Sequence, residues 1–237
     1  MEQIIERLNA INFDDVAESM HGKGYCTVPQ VLTEAMCKQI IDAYDEQQHY
    51  RKTVIMERYR FGLGEYKYFR YPLPPPITEI RERVYEQLAP VANSWMKALN
   101  IDTVYPPTLS TLHELCRDKN QHLPTVLILK YGTGGHNTLH QDLYGEVFFP
   151  IQLVLFLNEP GEDYGGGEFV LTQQNPRAQS KAIVLQPKRG DMLLFTTNFR
   201  PVKGSKGYYR AQMRHGVSEL HWGERHTLGI IFHDALS

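Results

Sequence analysis

The sequence predicts an α+β protein: a jelly-roll barrel of short strands buttressed by N-terminal helices. Two observations predict it. Up to residue 123 apolar side chains mostly recur at helical spacing, and from Pro124 onward short apolar runs alternate with Gly, Pro and Asn. Helices followed by strands segregate into layers, whereas a parallel sheet would alternate the two. The expectation is one domain over residues 1–237, with 1–123 as mainly helical support and 124–237 as the barrel.

Each element has its own signal. Residues 2–9 and 13–20 read as short amphipathic helices, and Gly22 and Gly24 stop the second. Tyr25 to Val28 reads as a short strand ending at Pro29. Thr33 caps a helix running to Gln48, with Ile40, Ile41 and Tyr44 on its apolar side. The aromatic stretch 53–71 is ambiguous, a hairpin around Gly62 and Gly64 being one reading, and Pro72 to Pro76 forms a stiff connector. A helix opens at Thr78 and runs to Leu99, carrying Val84, Leu88, Val91, Trp95 and Leu99 as core and Pro90 as a bend. A shorter helix covers 108–119. Eight strands follow, at 125–131, 138–142, 150–157, 167–172, 182–186, 191–196, 211–217 and 227–233.

Composition narrows the class. No stretch approaches the roughly 18 apolar residues of a membrane span, which argues against an integral membrane protein. The first residues lack the basic and apolar regions of a signal peptide. Cys26, Cys37 and Cys116 are three, widely spaced and without a CxxC, which suits a reducing, cytoplasmic setting and neither a disulfide framework nor a thiolate zinc site. The net charge of −2 hides an asymmetry. Residues 1–50 hold nine acids against Arg7, Lys23 and Lys38, and residues 176–214 hold nine bases against Asp191 alone. Such a basic stretch suits an anionic substrate, or is simply a solvated loop.

Of the ten histidines, one stands in an informative pattern. In His140-Gln141-Asp142 the first and third residues share a strand face, so one imidazole and one carboxylate can enter the barrel together. HxD alone is weak. A third ligand is best sought on a later strand, where His215 sits in Met213-Arg214-His215-Gly216-Val217. Two histidines and one carboxylate form the facial triad of non-haem Fe(II) oxygenases, which leaves positions open for a bidentate co-substrate and dioxygen. Ten residues after His215 comes Arg225, with Thr227 on the same face. Alone, Arg225 reads as a surface residue. At that spacing from the HxD…H set it reads instead as the partner of a ligand carboxylate such as that of 2-oxoglutarate.

These blocks resemble a known clan. Tyr131-Gly132, His140-Gln141-Asp142, Gln152 to Asn158, Gly166 to Phe169, Pro187 to Asp191, Leu194-Phe195, His215 and Gly223-Glu224-Arg225 look like the prolyl-hydroxylase-type 2-oxoglutarate/Fe(II) dioxygenases over residues 125–233. The blocks Asn137 to Gly145, Gly207 to Arg210, Arg214 to Val217 and Arg225 to Asp234 are similar to a mostly bacterial family described as oxygenases acting on alkylated, damaged nucleic acid. The resemblance implies a double-stranded β-helix catalytic core with His140, Asp142 and His215 as iron ligands. It implies Arg225 as the clamp on the 2-oxoglutarate C5 carboxylate and Tyr131 in the co-substrate pocket. Prolyl hydroxylases commonly carry Tyr-Leu-Asn where this chain has Phe156-Leu157-Asn158, so Tyr131, Thr227 or Gln152 must supply the missing hydrogen bond. The implied chemistry couples oxidative decarboxylation of 2-oxoglutarate, with O2 and with ascorbate as a stimulant, to hydroxylation of a substrate C–H. At an N-methyl group that hydroxylation ends in loss of formaldehyde.

The substrate is less legible. The basic stretch 176–214, with an expected Arg200–Arg210 loop at the mouth, offers Arg200, Lys203, Lys206 and Arg210 for phosphates, and Tyr144 for a flipped base. That reading makes alkylated DNA or RNA the partner. A protein side chain or small metabolite is the rival substrate, and a cupin-like metal-binding module without turnover is the non-enzymatic alternative. The triple glycine 165–167 precedes no helix and is not a phosphate loop.

Overall fold

The computed structural model describes residues 2–236. In chain order come α1 (Glu2–Asn9), α2 (Phe13–Lys23), β1 (Tyr25–Val28) and α3 (Glu34–Asp42). Then follow β2 (Tyr50–Ile55), β3 (Gly62–Leu63), β4 (Glu65–Phe69), α4 (Pro75–Ala98) and α5 (Leu109–Asp118). The strands after them are β5 (Leu127–Tyr131), β6 (His136–His140), β7 (Ile151–Phe156), β8 (Tyr164–Gly166), β9 (Phe169–Gln174) and β10 (Ser180–Leu185). The chain closes with β11 (Met192–Thr196), β12 (Phe199–Gly204), β13 (Gly207–Val217), β14 (Leu220–Gly223) and β15 (Arg225–Ile230).

Local chemistry accounts for the helix ends. Thr33 and Thr108 each turn a side-chain oxygen onto a first-turn amide, of Met36 and Thr111. Gly24 closes α2 at φ +80°, a left-handed position that suits glycine. Helix α4 starts three residues earlier than its threonine signal suggested, because proline is well suited to the first helical turn. Helix α3 stops at Asp42 and continues as short 3-10 turns rather than reaching Gln48.

Two antiparallel sheets form the barrel. One runs β1-β11-β7-β15-β5-β4-β2, and the other β10-β9-β13-β6-β3 with β12 also paired to β13. Strand β7 is buried along its whole length, and its alternation assigns the layers. Leu153 and Leu155 face the helices in a cluster that includes Leu88 and Trp95 of α4, while Val154 and Phe156 face Phe169 and Leu171 of the second sheet. The helix-side cluster runs from Ile4 to Phe232. By the same period of two, Gln152 on β7, Tyr131 on β5 and Arg225 and Thr227 on β15 belong to the barrel interior. No helix among the described residues is long and apolar enough to cross a membrane.

The architecture is the jelly-roll barrel with helices on one face that the sequence predicts. The short strand at Tyr25–Val28 is present and the 53–71 stretch does pair as antiparallel strands, so β1, β2 and β4 extend the larger sheet and β3 the smaller one. One part of the reading changes. The expected Arg200–Arg210 loop is instead a regular hairpin, with Arg200 opposite Ala211 and Lys203 opposite Tyr208.

Candidate active site

Strands β6 and β13 lie side by side with His140 opposite His215. Asp142, just beyond the end of β6, folds its carboxylate between them. Its Oδ1 lies 3.6 Å from His140 Nε2 and its Oδ2 3.2 Å from His215 Nε2. One ligand atom from each residue falls within 4.8 Å of the others, which is the span of a single metal ion's coordination sphere. His140 Nδ1 lies 2.7 Å from the Thr138 carbonyl, and a proton held there leaves Nε2 as the free lone pair. The His215 ring is fixed between Phe169, stacked at 5.9 Å, and Phe195.

Electrostatics prepare these groups to bind a cation. Burial works to raise the Asp142 pKa, but the hydrogen bond to His215, the charges of both histidines and the Gln152 amide hold it well below the usual carboxylate range. Burial, helped by His140 and opposed by Asp142, lowers the His215 pKa and so favours its neutral imidazole. The Asp142 oxygens are also held from outside the triad. Tyr144 Oη donates to Oδ1 at 2.8 Å, Tyr68 Oη donates to Tyr144 at 3.1 Å, and Gln152 Nε2 donates to Oδ2 at 2.8 Å.

Beside the triad lies a cavity of about 240 Å³ lined by Tyr131, Gln152, Arg225 and Thr227 among others. Arg225 is 1% exposed and sits opposite Tyr131 in the β15–β5 register. Its Nε, Nη1 and Nη2 have no hydrogen-bond partner among the described residues, and neither does Tyr131 Oη or Gln152 Oε1. Rings of Phe156, Tyr131 and Tyr164 lie 5.3–5.9 Å from the guanidinium carbon, so Phe156 packs under the charge. Burial pushes the Tyr131 phenol up to about 12, against the pull of Arg225, which leaves it a neutral donor.

Comparison with known proteins decides the family. Residues 64–235 match the family described as "Oxygenase, catalysing oxidative methylation of damaged DNA". The chain belongs to this oxygenase family. Uncharacterized proteins of Mycobacterium tuberculosis strains CDC 1551 and H37Rv are each 43% identical to the oxygenase over 167 residues, 70% of this chain and 72% of theirs. In structure the oxygenase is similar to a Pseudomonas putida prolyl-4-hydroxylase, with TM-score 0.55, 12% identity and 92% and 96% of the two chains covered. A Burkholderia pseudomallei oxidoreductase of the 2OG-Fe(II) oxygenase family gives TM-score 0.55 and 14% identity over 96% and 94%. At these identities the likeness is one of fold, the double-stranded β-helix of 2-oxoglutarate/Fe(II) oxygenases.

The residues expected to meet substrate do not gather at the site. Gly207 and His215 are eight positions apart on β13 of the oxygenase, roughly 26 Å at about 3.3 Å per residue, so the tip carrying Lys203 and Lys206 points away from the triad. Arg200 is buried and donates to the carbonyls of His21 and Gly22 and to Gln173 Oε1, which ties α2 to the barrel. Arg210 covers the Phe199 ring at 4.3 Å. Tyr144 does line the cavity, yet its hydroxyl turns to Asp142. Sequence reasoning missed Tyr68, which comes from the aromatic stretch it left ambiguous. The signal available for Tyr144 was the same i, i+2 spacing that joined His140 to Asp142.

Proposed function

We propose that this oxygenase is an Fe(II)- and 2-oxoglutarate-dependent dioxygenase that hydroxylates a substrate C–H bond, with the N-alkyl group of damaged nucleic acid as its target. The observation that carries this reading is Arg225. A permanently charged guanidinium with three unpaired nitrogens is costly to bury. It is intelligible as half of a pair whose other half is a ligand carboxylate in the adjoining cavity. Tyr131 Oη, also unpaired, is the second donor for that carboxylate, and Thr227 offers a hydroxyl from the same strand face.

His140, Asp142 and His215 would hold the iron, and two imidazoles with one carboxylate suit Fe(II) without the thiolates that favour softer metals. When bound, iron and 2-oxoglutarate would supply the oxidising chemistry with O2 as the oxidant, one of its oxygen atoms going to succinate as CO2 is released and the other into the substrate C–H bond. The chain's own contributions are positional. Arg225 and Tyr131 orient the co-substrate, Tyr144 and Gln152 hold the Asp142 carboxylate, and the aromatic walls Phe169 and Phe195 keep water from the His215 side. Hydroxylation at an N-methyl carbon gives a carbinolamine that releases formaldehyde, and no protein acid or base is needed for that release. The free thiols of Cys26, Cys37 and Cys116 agree with a cytoplasmic location.

The test is succinate and formaldehyde release from 2-oxoglutarate, Fe(II), ascorbate and an N-methylated single-stranded oligonucleotide. Equal molar yields of the two products support the reading. Succinate formed with a peptide or metabolite and never with oligonucleotides removes the nucleic-acid half. Failure of 2-oxoglutarate to raise the melting temperature in the presence of Mn(II) removes the dioxygenase half.

A further inference from the structure

Apolar side chains that stay in water are concentrated around the mouth of the cavity. Tyr59 is 55% exposed, Phe61 44%, Leu139 45% and Leu143 45%, and Leu63 is exposed beside them. Phe61 and Leu143 line the cavity itself. A cluster of this kind at the rim of a site marks a contact surface rather than a lapse of packing. Tyr59 and Phe61 also stack on one another, with centroids 5.5 Å apart and planes 18° from parallel. Two flat rings aligned in water present a ready π-face to a further planar group.

The segment is fixed in place rather than loosely tethered. The Phe61 carbonyl accepts from both the amide and the hydroxyl of Thr138, at 2.9 and 3.0 Å. Thr138 lies two residues before His140 on β6, so the rim is registered directly to the triad. Strand β3 pairs with β6 through Gly62 and Asn137. A Cβ on Gly62 would stand 2.2 Å from the His136 carbonyl oxygen, so only glycine allows this approach.

The charge around the stack selects a partner. Arg58 and Arg60 flank Tyr59, both are exposed, and neither forms an ion pair among the described residues. The one acid between β2 and β3, Glu57, is exposed and accepts from the Gly64 amide. Aromatic faces interleaved with unpaired arginines are the arrangement that binds unpaired nucleotides, by stacking on bases and neutralising phosphates.

We infer that Tyr59 and Phe61 form the platform on which a nucleobase flanking the target, single-stranded or extruded, stacks outside the cavity, with Arg58 and Arg60 on the adjacent phosphates. The inference rests on the nucleic-acid reading above. It transfers substrate recognition from the remote β12–β13 hairpin to the 58–63 segment. Because a stacked base reads no sequence, recognition here is tolerant of sequence and salt-sensitive.

The test measures Kd by fluorescence anisotropy for the full chain with Mn(II) and 2-oxoglutarate. The probe is a labelled single-stranded DNA dodecamer carrying one N1-methyladenine, with its duplex as comparison. The double substitution Tyr59→Ala with Phe61→Ala should weaken binding about tenfold or more, and Tyr59→Phe with Phe61→Tyr should restore it. Arg58→Ala and Arg60→Ala should each lower the salt slope by about 0.7. The melting-temperature rise given by 2-oxoglutarate should be the same in both arginine variants, whose exposed side chains lie outside the cavity lining. Wild-type demethylation accompanied by an unchanged Kd in the alanine pair overturns the platform and leaves the nucleic-acid reading intact. Loss of the 2-oxoglutarate response along with binding assigns a structural role and also overturns it. A wild-type chain that neither binds nor demethylates the dodecamer overturns both.

Discussion

Arg225 is held in the apo chain at a cost that its aromatic surroundings only soften. Each ring at 5.3–5.9 Å contributes about 0.5–2 kcal/mol of cation–π attraction, but none replaces the hydrogen bonds the guanidinium gave up. Arg225→Met should therefore raise apo stability, by about 2 kcal/mol or roughly 4–8 °C in melting temperature for a chain of this length. The same variant should lose the rise that 2-oxoglutarate with Mn(II) gives the wild type. A variant that is less stable and still responds to 2-oxoglutarate would show that Arg225 serves packing instead. Tyr144 makes the complementary point, because its hydroxyl touches a ligand and not the cavity's contents. Tyr144→Phe leaves Asp142 Oδ1 without its donor and should weaken Mn(II) binding 10–100-fold in calorimetry, whereas Tyr68→Phe, one bond further out, should have a smaller effect.

The basic hairpin is where element-level reasoning needed correcting. Strand β13 is exposed from Gly207 to Tyr208 and alternates with the core only from Ala211, so the periodic signal starts there and the tip reads as loop. Short elements fail for a related reason. Strand β3 has two residues and β8 three, below the four or more that alternation needs to register. Most strands of the predicted barrel were legible because they carry several apolar residues between turn formers, β7 on both faces, whereas β6 has Leu139 alone. The grouping of His140 with Asp142 was legible from period two once His215 and Arg225 stood at matching positions downstream, although β6 itself ends at His140. Its link to Tyr68 was not, because that contact joins positions 76 residues apart. Arg200 shows what the hairpin's charge is for. Arg200→Met removes donors to two α2 carbonyls and to Gln173, and should destabilise the fold by about 2–4 kcal/mol in urea titration with activity per folded molecule unchanged. Lys203→Glu with Lys206→Glu should alter neither stability nor turnover, and a loss of turnover there would return the hairpin to the substrate path.

Across the whole molecule, the opposed charges of the two halves partly meet in structure. Arg189 reaches Glu34 at 3.3 Å and Asp163 at 3.6 Å, and Asp191 caps the amides of Gln30 and Lys188, so the basic stretch is divided among internal tasks. The pH dependence of folding is set elsewhere, by histidines that the fold buries neutral. Burial lowers His113, His226 and His233 from 6.5 to about 4, against the pull of Asp234 on His113, of Glu224 on His226 and of Asp142 on His233. In each the folded-state pKa lies below the unfolded one, so between pH 6.5 and 4 the unfolded chain binds the extra protons. Their stabilisation is complete above pH 6.5 and is lost as pH falls toward 4, at up to about 1.4 kcal/mol per pH unit for each group. These three, with His21 and His215 shifted the same way by burial, predict a urea midpoint that is level from pH 8 to 7 and falls below about pH 6.5 with a slope of about three protons or more. His226→Phe removes one titrating ring from a site packed against Tyr44 and should lower the proton count by about one, even if its stability at pH 8 also changes. A slope in that variant equal to the wild type's would mean that His226 is already protonated in the fold, or stays neutral in both states.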